Sequence, residues 1–416
     1  MISLLAERTR EPSAPQFFHY YAKACDAAAL GGESNFRLGG GASSERDRAM
    51  GKAIGEAIER YCSAFYFKER LPLVSANDAS FSCVDPAAFA LYREDQYAAQ
   101  AMEFVPFTAD LPVRWVEACD VATSRSVYVP AATVFMPYFY GEAEGAVMQP
   151  ITTGLACNEG YESALLSAIC EAIERDSFTI FWQGRLAPPR VPLESLDPAI
   201  ADLVDRFARA RYDVTLFNVT TDIGVPSLLT VARHEDPSHP ALCVAAATHP
   251  VASVAARKGL EELEHTRLWC KRLKRATPPI DPQKTAEILE QEEHLRFWCE
   301  HSNRHLADWL FSSTLEEELP AVAFSNESDP AELLTYVRGL LKMADLQLFA
   351  VDVTTPEILA LGLNVVKAVV PGLHPLFIGH RHRALGGRRL YEVPVRLGYG
   401  PPELPLDDPT NPHPFP

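Results

Sequence analysis

The pentapeptide Glu-Ala-Ile-Glu-Arg occurs twice in this chain, at residues 56–60 and again at residues 171–175. Residues three and four positions apart are neighbours on an α-helix, so the two glutamates and the arginine of each copy share one face. The Ala-Ile pair between them predicts that another face of each helix is buried. The repeat therefore predicts two helices that each present a carboxylate pair beside an arginine.

Carboxylates are the hard oxygen ligands that Mg²⁺ prefers, and Mg²⁺ accompanies nucleotide phosphates. Carboxylates that converge without a cation would repel and raise one another's pKa, whereas arginine binds phosphate with two hydrogen bonds. The alternative for each copy is a solvated helix face stabilised by ion pairs. The sequence has no Walker-type loop and no kinase signature, so a nucleotide site here would be an unusual one.

A third acidic helix is predicted at residues 251–273. Lys258 and Glu262 are four positions apart, and Glu262 and His265 are three apart, so these side chains share a face.

Composition limits the class of protein. Hydrophobic residues make up 47% and charged residues 22% of 416, which is typical of a globular protein with a core. The net charge of −17 disfavours nonspecific binding to nucleic acid or membranes. Nine dispersed cysteines without a CxxC pair, no recognisable signal peptide and no long apolar run favour a soluble cytoplasmic protein.

The pattern along the chain predicts a mixed α+β fold, with sheets and packed helices in one large domain and a suggestive internal pseudo-duplication. We expect a lead-in at 1–35 with a helix near 20–30, a main domain at 36–400 and a tail at 401–416. The tail holds 7 prolines and cannot be helical. Gly39, Gly40 and Gly41 are expected to break structure before a helix that Ser43 or Ser44 caps. Predicted helices span 43–67, 161–182 and 251–273, and predicted strands span 113–118, 127–134, 214–219, 226–232, 241–248, 346–353 and 364–370.

Four stretches together resemble the YcaO family, in particular its azoline-forming cyclodehydratases, the D proteins of thiazole/oxazole-modified peptide pathways. They are residues 39–43 with 53–61, residues 152–157 with 171–178, residues 258–262, and the proline-alternating end at 411–416. The resemblance implies a YcaO-like fold and an ATP- and Mg²⁺-dependent reaction. In it, a Cys, Ser or Thr side chain of a ribosomally made peptide attacks the preceding amide, whose oxygen is phosphorylated and leaves as phosphate.

The resemblance also implies roles for particular residues. Mg²⁺ would be held by Glu56, Glu59, Glu171, Glu174 and Glu262. Nucleotide contacts would come from Ser43, Glu59, Glu174, Arg175, Lys258 and His265. The C-terminal carboxylate of Pro416 would act in proton transfer. The chain departs from the family pattern at Gly40, Lys52, Ser163 and His265, where relatives often have Lys, Ser, Glu and Gln.

The implied partners are a precursor peptide, a ubiquitin-activating-enzyme-like protein that binds its leader and, in some pathways, an FMN-dependent azoline dehydrogenase. Two alternatives remain open. The chain is either a family member that forms a thioamide or an amidine, or a non-catalytic scaffold subunit, which the departures at Gly40, Lys52 and Ser163 would favour.

Three other groups of residues have weaker functional interpretations. Cys299, His301 and His305 have the residue types of a zinc site, although a charged helix is favoured. Cys157 follows a glycine turn and is favoured as a packing residue over a nucleophile. Residues 381–383 would suit either a phosphate or peptide site or a solvated loop.

Overall fold

The computed structural model describes residues 1–89, 91–99, 102–320, 324–406, 408 and 412–416. Its architecture is mixed α+β, as predicted. The strands are β1 Ile2–Glu7, β2 Phe18–Ala24, β3 Leu38–Ser43, β4 Leu73–Val74, β5 Val113–Asp120, β6 Arg125–Pro130, β7 Leu155–Glu159, β8 Asp213–Asn218, β9 Ser227–Arg233, β10 Leu242–Thr248, β11 Phe349–Asp352 and β12 Leu363–Val369. The helices are α1 Arg46–Cys62, α2 Glu94–Tyr97, α3 Tyr161–Gln183, α4 Pro198–Arg209, α5 Ala252–Ala276, α6 Gln291–Trp298, α7 Pro330–Met343, α8 Pro356–Leu359 and α9 Arg389–Arg396.

The strands form three antiparallel sheets. Two are three-stranded, with orders β1-β2-β3 and β10-β9-β8, and the third runs β4-β5-β11-β12-β7 with β6 paired to β5. Helix α1 packs on the first sheet, α5 on the second, and α3 on β7 and β12 of the third. Contacts of α1 with β7, of α5 with β3 and of α3 with β10 bring the three helices together between the sheets.

The N-terminal region corrects two predictions. The helix expected near residues 20–30 is wrong, because β2 Phe18–Ala24 is a strand and only a short 3-10 turn follows it. The three glycines do not break structure but lie in β3. A Cβ atom on Gly39 would lie 2.5 Å from the Ala57 nitrogen, so glycine is required for α1 to approach the strand this closely. Glu45, and neither Ser43 nor Ser44, occupies the N-cap position of α1.

Most other predictions of secondary structure are confirmed, although the strand expected at 127–134 ends at Pro130 and a 3-10 turn follows it. The strand pair expected at 214–219 and 226–232 is the antiparallel β8–β9 pair, and the run at 241–248 is β10. The long helices at 161–182 and 251–273 are α3 and α5. No helix occurs in the described residues of the tail, 401–406, 408 and 412–416.

The three acidic helices share one local plan, in which each follows directly after a strand. Glu56, Glu171 and Glu262 each lie ten residues after the first residue of their helix, which are Arg46, Tyr161 and Ala252. Three residues further on come Glu59, Glu174 and His265. The third helix therefore carries Glu-x-x-His where the other two carry Glu-x-x-Glu, a relationship that the sequence analysis did not recognise.

All nine cysteines are free thiols. Among the described residues, no helix combines the length and the apolar character that a membrane span requires.

Candidate active site

Main-chain N–H groups of preceding strands orient the first carboxylate of each repeated pentapeptide. The Gly40 N–H in β3 donates to Glu56 Oε2 at 2.5 Å, and the Arg60 guanidinium lies 2.5 Å from Glu56 Oε1. In the second copy, the N–H of Gly154, just before β7, donates to Glu171 Oε2 at 3.2 Å. A hydrogen bond from a glycine N–H thus orients the carboxylates of both Glu56 and Glu171.

Glu59 links α1 to β7, the strand that precedes α3. It accepts a 2.6 Å hydrogen bond from the Cys157 N–H of β7. Burial raises the pKa of Glu59 to about 8, and the nearby carboxylates of Glu171 and Glu56 add to the rise. A group held in this way favours either a proton or a cation next to it.

Glu174 is in a similar environment on α3. Burial raises its pKa to about 7, with Glu171 adding to the rise and Arg175 opposing it. The Arg175 guanidinium lies 3.3 Å from Glu171 and 3.8 Å from Glu174, so it bridges the carboxylates of its own helix.

The third helix contributes a carboxylate that already has cationic neighbours. Glu262 Oε1 lies 3.1 Å from Lys52 Nζ of α1, and Glu262 Oε2 lies 3.8 Å from His265 Nδ1. Lys52 Nζ also lies 2.9 Å from the fully buried Glu261. The Ser43 hydroxyl, which has no solvent exposure, donates to the other oxygen of Glu261 at 2.7 Å.

Gly40 of β3 and His265 of α5 fit closely together. A Cβ atom on Gly40 would lie 2.5 Å from His265 Nε2. A lysine at position 40 would therefore collide with the imidazole, so two of the four departures from the family pattern depend on each other.

The end of the chain reaches this group of residues. Arg175 Nη1 donates to the oxygen of Pro416 at 3.2 Å, and its guanidinium lies 4.3 Å above the Phe415 ring. Phe415 is buried against Phe178 of α3, with ring centroids 4.4 Å apart. The last residues are therefore packed against the same helix that carries Glu171 and Glu174.

Three further contacts fix the tail upstream. Trp298 Nε1 of α6 donates to the Pro412 carbonyl at 2.7 Å, and the His294 ring stacks on the His413 ring at 4.0 Å. His413 Nε2 lies 2.7 Å from the carbonyl of Phe377. Asn411, the first residue of the tail motif, lies outside the described residues.

A buried ion pair joins α3 to α9. Asp176, which has no solvent exposure, accepts bonds of 3.0 and 2.8 Å from Nε and Nη2 of Arg389. It also accepts the main-chain N–H of His374 at 2.8 Å. Arg389 Nη2 binds Asp222 at 2.8 Å as well. This network fixes the segment around His374 against the helix of the second pentapeptide.

That segment forms one wall of a cavity of about 860 Å³ beside α3. Ala172, directly after Glu171, lines the cavity, as does Phe377, which anchors the tail. Buried Lys367 lines it too and donates to the carbonyls of Ile151 and Thr153 at 2.9 and 2.6 Å. The cavity has the size of a ligand site, and its lining mixes apolar and polar groups.

The donor set suits Mg²⁺ bound to phosphate. In the part of the chain that the structure describes, no three acidic, histidine or cysteine side chains are close enough to form a complete metal site. Burial, with the nearby Glu171 carboxylate adding to it, nevertheless raises the pKa values of Glu59 and Glu174, and a bound cation would favour their ionised forms. Mg²⁺ keeps waters and takes one or two carboxylates plus phosphate oxygens, so such a partial shell is what it requires.

Lys258 of α5 acts on the charge of Glu174. It lies near enough to Glu174 to lower the pKa of that carboxyl. Within the described part of the chain, the ammonium of Lys258 has no hydrogen bond or ion pair, whereas that of Lys52 on α1 pairs with Glu261 and Glu262. Its charge is thus available for an anion.

The other three predicted groups have structural explanations. The described residues include no metal-binding cluster around Cys299, His301 and His305. Burial and the Glu59 charge raise the pKa of the Cys157 thiol to about 12, which does not suit a nucleophile. In the segment 381–383, Arg381 binds Glu103 and Arg383 donates to the carbonyls of Pro405 and Leu406, so this segment helps to hold the tail.

Sequence reasoning missed the supports of the site. Lys52 was noted only as a departure, and its pairing with Glu261 and Glu262 depends on long-range packing of α1 against α5. Asp176 follows the second pentapeptide directly, and its position on the buried face was a signal that went unused. His294 and Trp298 carried no signal at all, since nothing local links them to the tail.

The geometry defines an α+β protein in which three acidic helices bring carboxylates, arginine and lysine together. A family model described as YcaO cyclodehydratase, ATP- and Mg²⁺-binding, matches residues 40–374, and the chain belongs to the YcaO family. An uncharacterized protein of Methanothermobacter thermautotrophicus is 27% identical over 356 residues, covering 83% of this chain and 85% of the relative.

Solved structures share the fold. A heterocyclase in complex with substrate and cofactor superposes with a TM-score of 0.79 at 22% identity, covering 100% of this chain and 55% of that protein. This chain therefore spans about half the length of that heterocyclase. YcaO from Methanopyrus kandleri bound with AMPPCP and Mg²⁺ gives a TM-score of 0.64 at 18% identity, covering 89% of this chain and 86% of that one. The E. coli microcin synthetase McbBCD complex gives 0.58 at 15% identity, covering 88% and 87%.

Proposed function

We propose that this chain is the ATP-dependent, azoline-forming cyclodehydratase of a ribosomally made peptide. The observation that carries the proposal is the arrangement around Arg175. Its guanidinium bridges Glu171 and Glu174 and also binds the oxygen of Pro416. A nucleotide site and the end of the proline tail thereby meet at one side chain.

In the proposed reaction, a Cys, Ser or Thr side chain attacks the carbonyl carbon of the preceding amide and loses its proton. The amide oxygen takes the γ-phosphoryl group of ATP and releases ADP. Loss of the amide N–H proton and departure of phosphate then form the C=N bond of a thiazoline or oxazoline. Phosphate is a much better leaving group than the amide oxygen, so the protein's task is positioning and charge neutralisation.

We assign the residues as the family resemblance implies. Glu56, Glu59, Glu171, Glu174 and Glu262 would hold Mg²⁺, which when bound neutralises phosphate charge. Arg175 and Lys258 would face the phosphates, with His265 and the Glu59 and Glu174 carboxylates completing the nucleotide contacts. Ser43 would act through Glu261, which its hydroxyl already binds.

The Pro416 carboxylate would accept and return protons at the reacting amide. Support comes from its fixed position, since Phe415 is buried and Arg175 holds the oxygen. The segment of the precursor peptide that is cyclised would lie in the cavity beside α3. Ala172, which lines this cavity, adjoins Glu171. The ordered tail favours ring formation over thioamide or amidine formation.

The proposed partners are the precursor peptide, a ubiquitin-activating-enzyme-like protein that binds its leader and, where rings are aromatised, an FMN-dependent dehydrogenase. A structural neighbour that is itself a synthetase complex supports a multi-protein assembly. Because the reaction consumes ATP and a freshly made peptide, we expect it to take place in the cytoplasm.

The test combines the purified chain with its partner protein, the precursor and Mg-ATP. Each ring should remove the mass of one water from the peptide and release one phosphate. A precursor with its Cys, Ser and Thr residues changed to Ala is the control and should lose no mass. Absence of ATP turnover with the unmodified precursor would contradict the proposal, and absence of Mg-ATP binding would favour a scaffold.

A further inference from the structure

Lys52 is an unusual neighbour for a carboxylate that is expected to bind a metal. Its side chain is 21% exposed, and its ammonium lies 2.9 Å from Glu261 and 3.1 Å from Glu262. Oε1 of Glu261 accepts hydrogen bonds from the hydroxyl of Ser43 and the main-chain N–H of Ser44. Its Oε2 lies between Lys52 and Arg257, which is 3.7 Å away. The lysine is thus anchored on a buried carboxylate and reaches across to the more exposed one.

Lys52 differs from the residues at the equivalent position of the other two acidic helices. It lies six residues after the start of α1, as Lys258 does on α5 and Ser167 on α3. Lys258 has no ion pair among the described residues, whereas Lys52 is committed to two carboxylates of another helix. His265 Nδ1 also lies 3.8 Å from Glu262 Oε2, and its imidazole faces Gly40.

We propose that Lys52 is a built-in counter-cation that keeps divalent metal off Glu262 until a nucleotide binds. A metal ion approaching Glu262 would meet the charge of Lys52 at contact distance, and like charges at that distance repel strongly. The phosphates of ATP bring negative charge that offsets this repulsion. Metal and nucleotide binding are thereby coupled, and the coupling is reciprocal. This inference rests on the proposed nucleotide site and adds a regulatory role for one of its neighbours.

The test measures Mn²⁺ binding by the loss of the free-ion electron paramagnetic resonance signal, with and without the non-hydrolysable analogue AMPPCP. Wild-type protein should bind Mn²⁺ weakly alone and tightly with AMPPCP. In Lys52→Met, Mn²⁺ affinity without nucleotide should rise by about tenfold, because one unit charge beside the metal is gone. Lys52→Arg keeps the charge and should restore the wild-type coupling.

Two controls make each outcome decisive. The gain in Lys52→Met should disappear in the double variant Lys52→Met/Glu262→Gln, and circular dichroism should confirm that each variant is folded. If wild-type protein binds no Mn-AMPPCP, the proposed nucleotide site and this inference both fail. If wild-type protein binds Mn-AMPPCP but Lys52→Met binds free Mn²⁺ only as weakly as wild type does, or Lys52→Arg gains affinity as Lys52→Met does, only the role of Lys52 is overturned.

Discussion

Arg175 of the second pentapeptide donates a hydrogen bond of 3.2 Å to the oxygen of Pro416, 241 residues later in the chain. The contact connects the carboxylates of α3 to the end of a tail that Trp298 and His294 also hold in place. Because the tail contacts Arg175 and not the carboxylates themselves, the proposed role of the tail in proton transfer is separate from the proposed binding of Mg-ATP.

Deletion of Pro416 should therefore abolish ring formation while Mg-ATP binding stays within about threefold of wild type, a change of under ~1 kcal/mol. The reason is that the main body of the site, Glu56 to Glu262, does not depend on the last residue. Calorimetry with Mg-ATP and peptide mass measure the two properties. Pro401→Ala, at an exposed proline upstream, is the matched control, and a Pro416 deletion that still cyclises peptide would refute the catalytic tail.

The Asp176–Arg389 ion pair predicts an effect on protein stability that does not depend on a bound metal. Arg389→Met leaves the unexposed Asp176 carboxylate without its main partner and should lower the free energy of unfolding by about 3–5 kcal/mol. Chemical denaturation measures the change. Arg388→Met is the control, because that side chain is 75% exposed and should change stability little. Equal stability of the two variants would contradict the account.

Glu59 and Glu174 predict how stability depends on pH. Their folded-state pKa values of about 8 and about 7 lie above the ordinary 4.5, so the folded chain holds protons that the unfolded chain has released. The free energy of unfolding should consequently fall as pH rises from about 4.5 to about 8. Arg60 opposes the rise at Glu59, and Arg175 and Lys258 oppose it at Glu174.

Thermal unfolding in chelator between about pH 6 and about pH 9 would show this fall as a decreasing Tm. Mg-ATP should reduce it, since a bound cation favours the ionised carboxylates. The double variant Glu59→Gln/Glu174→Gln should lose most of the slope. A slope that persists in that variant would assign the pH dependence to other groups.

Cys157→Ala should leave ring formation intact. The main-chain N–H of Cys157, and not its thiol, binds Glu59, and alanine preserves that donor. Burial and the Glu59 charge also keep the thiol protonated near neutral pH, so it is a poor nucleophile. Peptide mass after reaction with the variant checks this, and a complete loss of rings would reinstate the thiol as a participant.

The helices of the site were predictable because their signals are local. The pentapeptides and the Lys258–His265 spacing fix which side chains share a face, and α1, α3 and α5 lie where the pattern indicated. The strand pair β8–β9 was predictable for the same reason, as a short hairpin.

The convergence of the three helices was not predictable from pattern alone. It depends on three separate sheets and on glycine positions such as Gly39 and Gly40, which were interpreted as breakers but permit close packing. Lys52 contacts Glu262, 210 residues away, and Trp298 contacts Pro412, 114 residues away, and no spacing rule reaches that far. The prediction that the end of the tail reaches the active site came from the family resemblance and not from the sequence pattern.

The account rests on the two pentapeptides forming walls of one Mg-ATP site. The most direct test compares ATP turnover, in the reconstituted reaction with partner and precursor, for Glu56→Ala, Glu171→Ala and the control Glu162→Ala. Glu162 is exposed on α3, outside the site. Either site variant should abolish turnover with an unchanged circular dichroism spectrum, while Glu162→Ala turns over ATP normally. Wild-type turnover in both Glu56→Ala and Glu171→Ala would show that these faces serve only solvation.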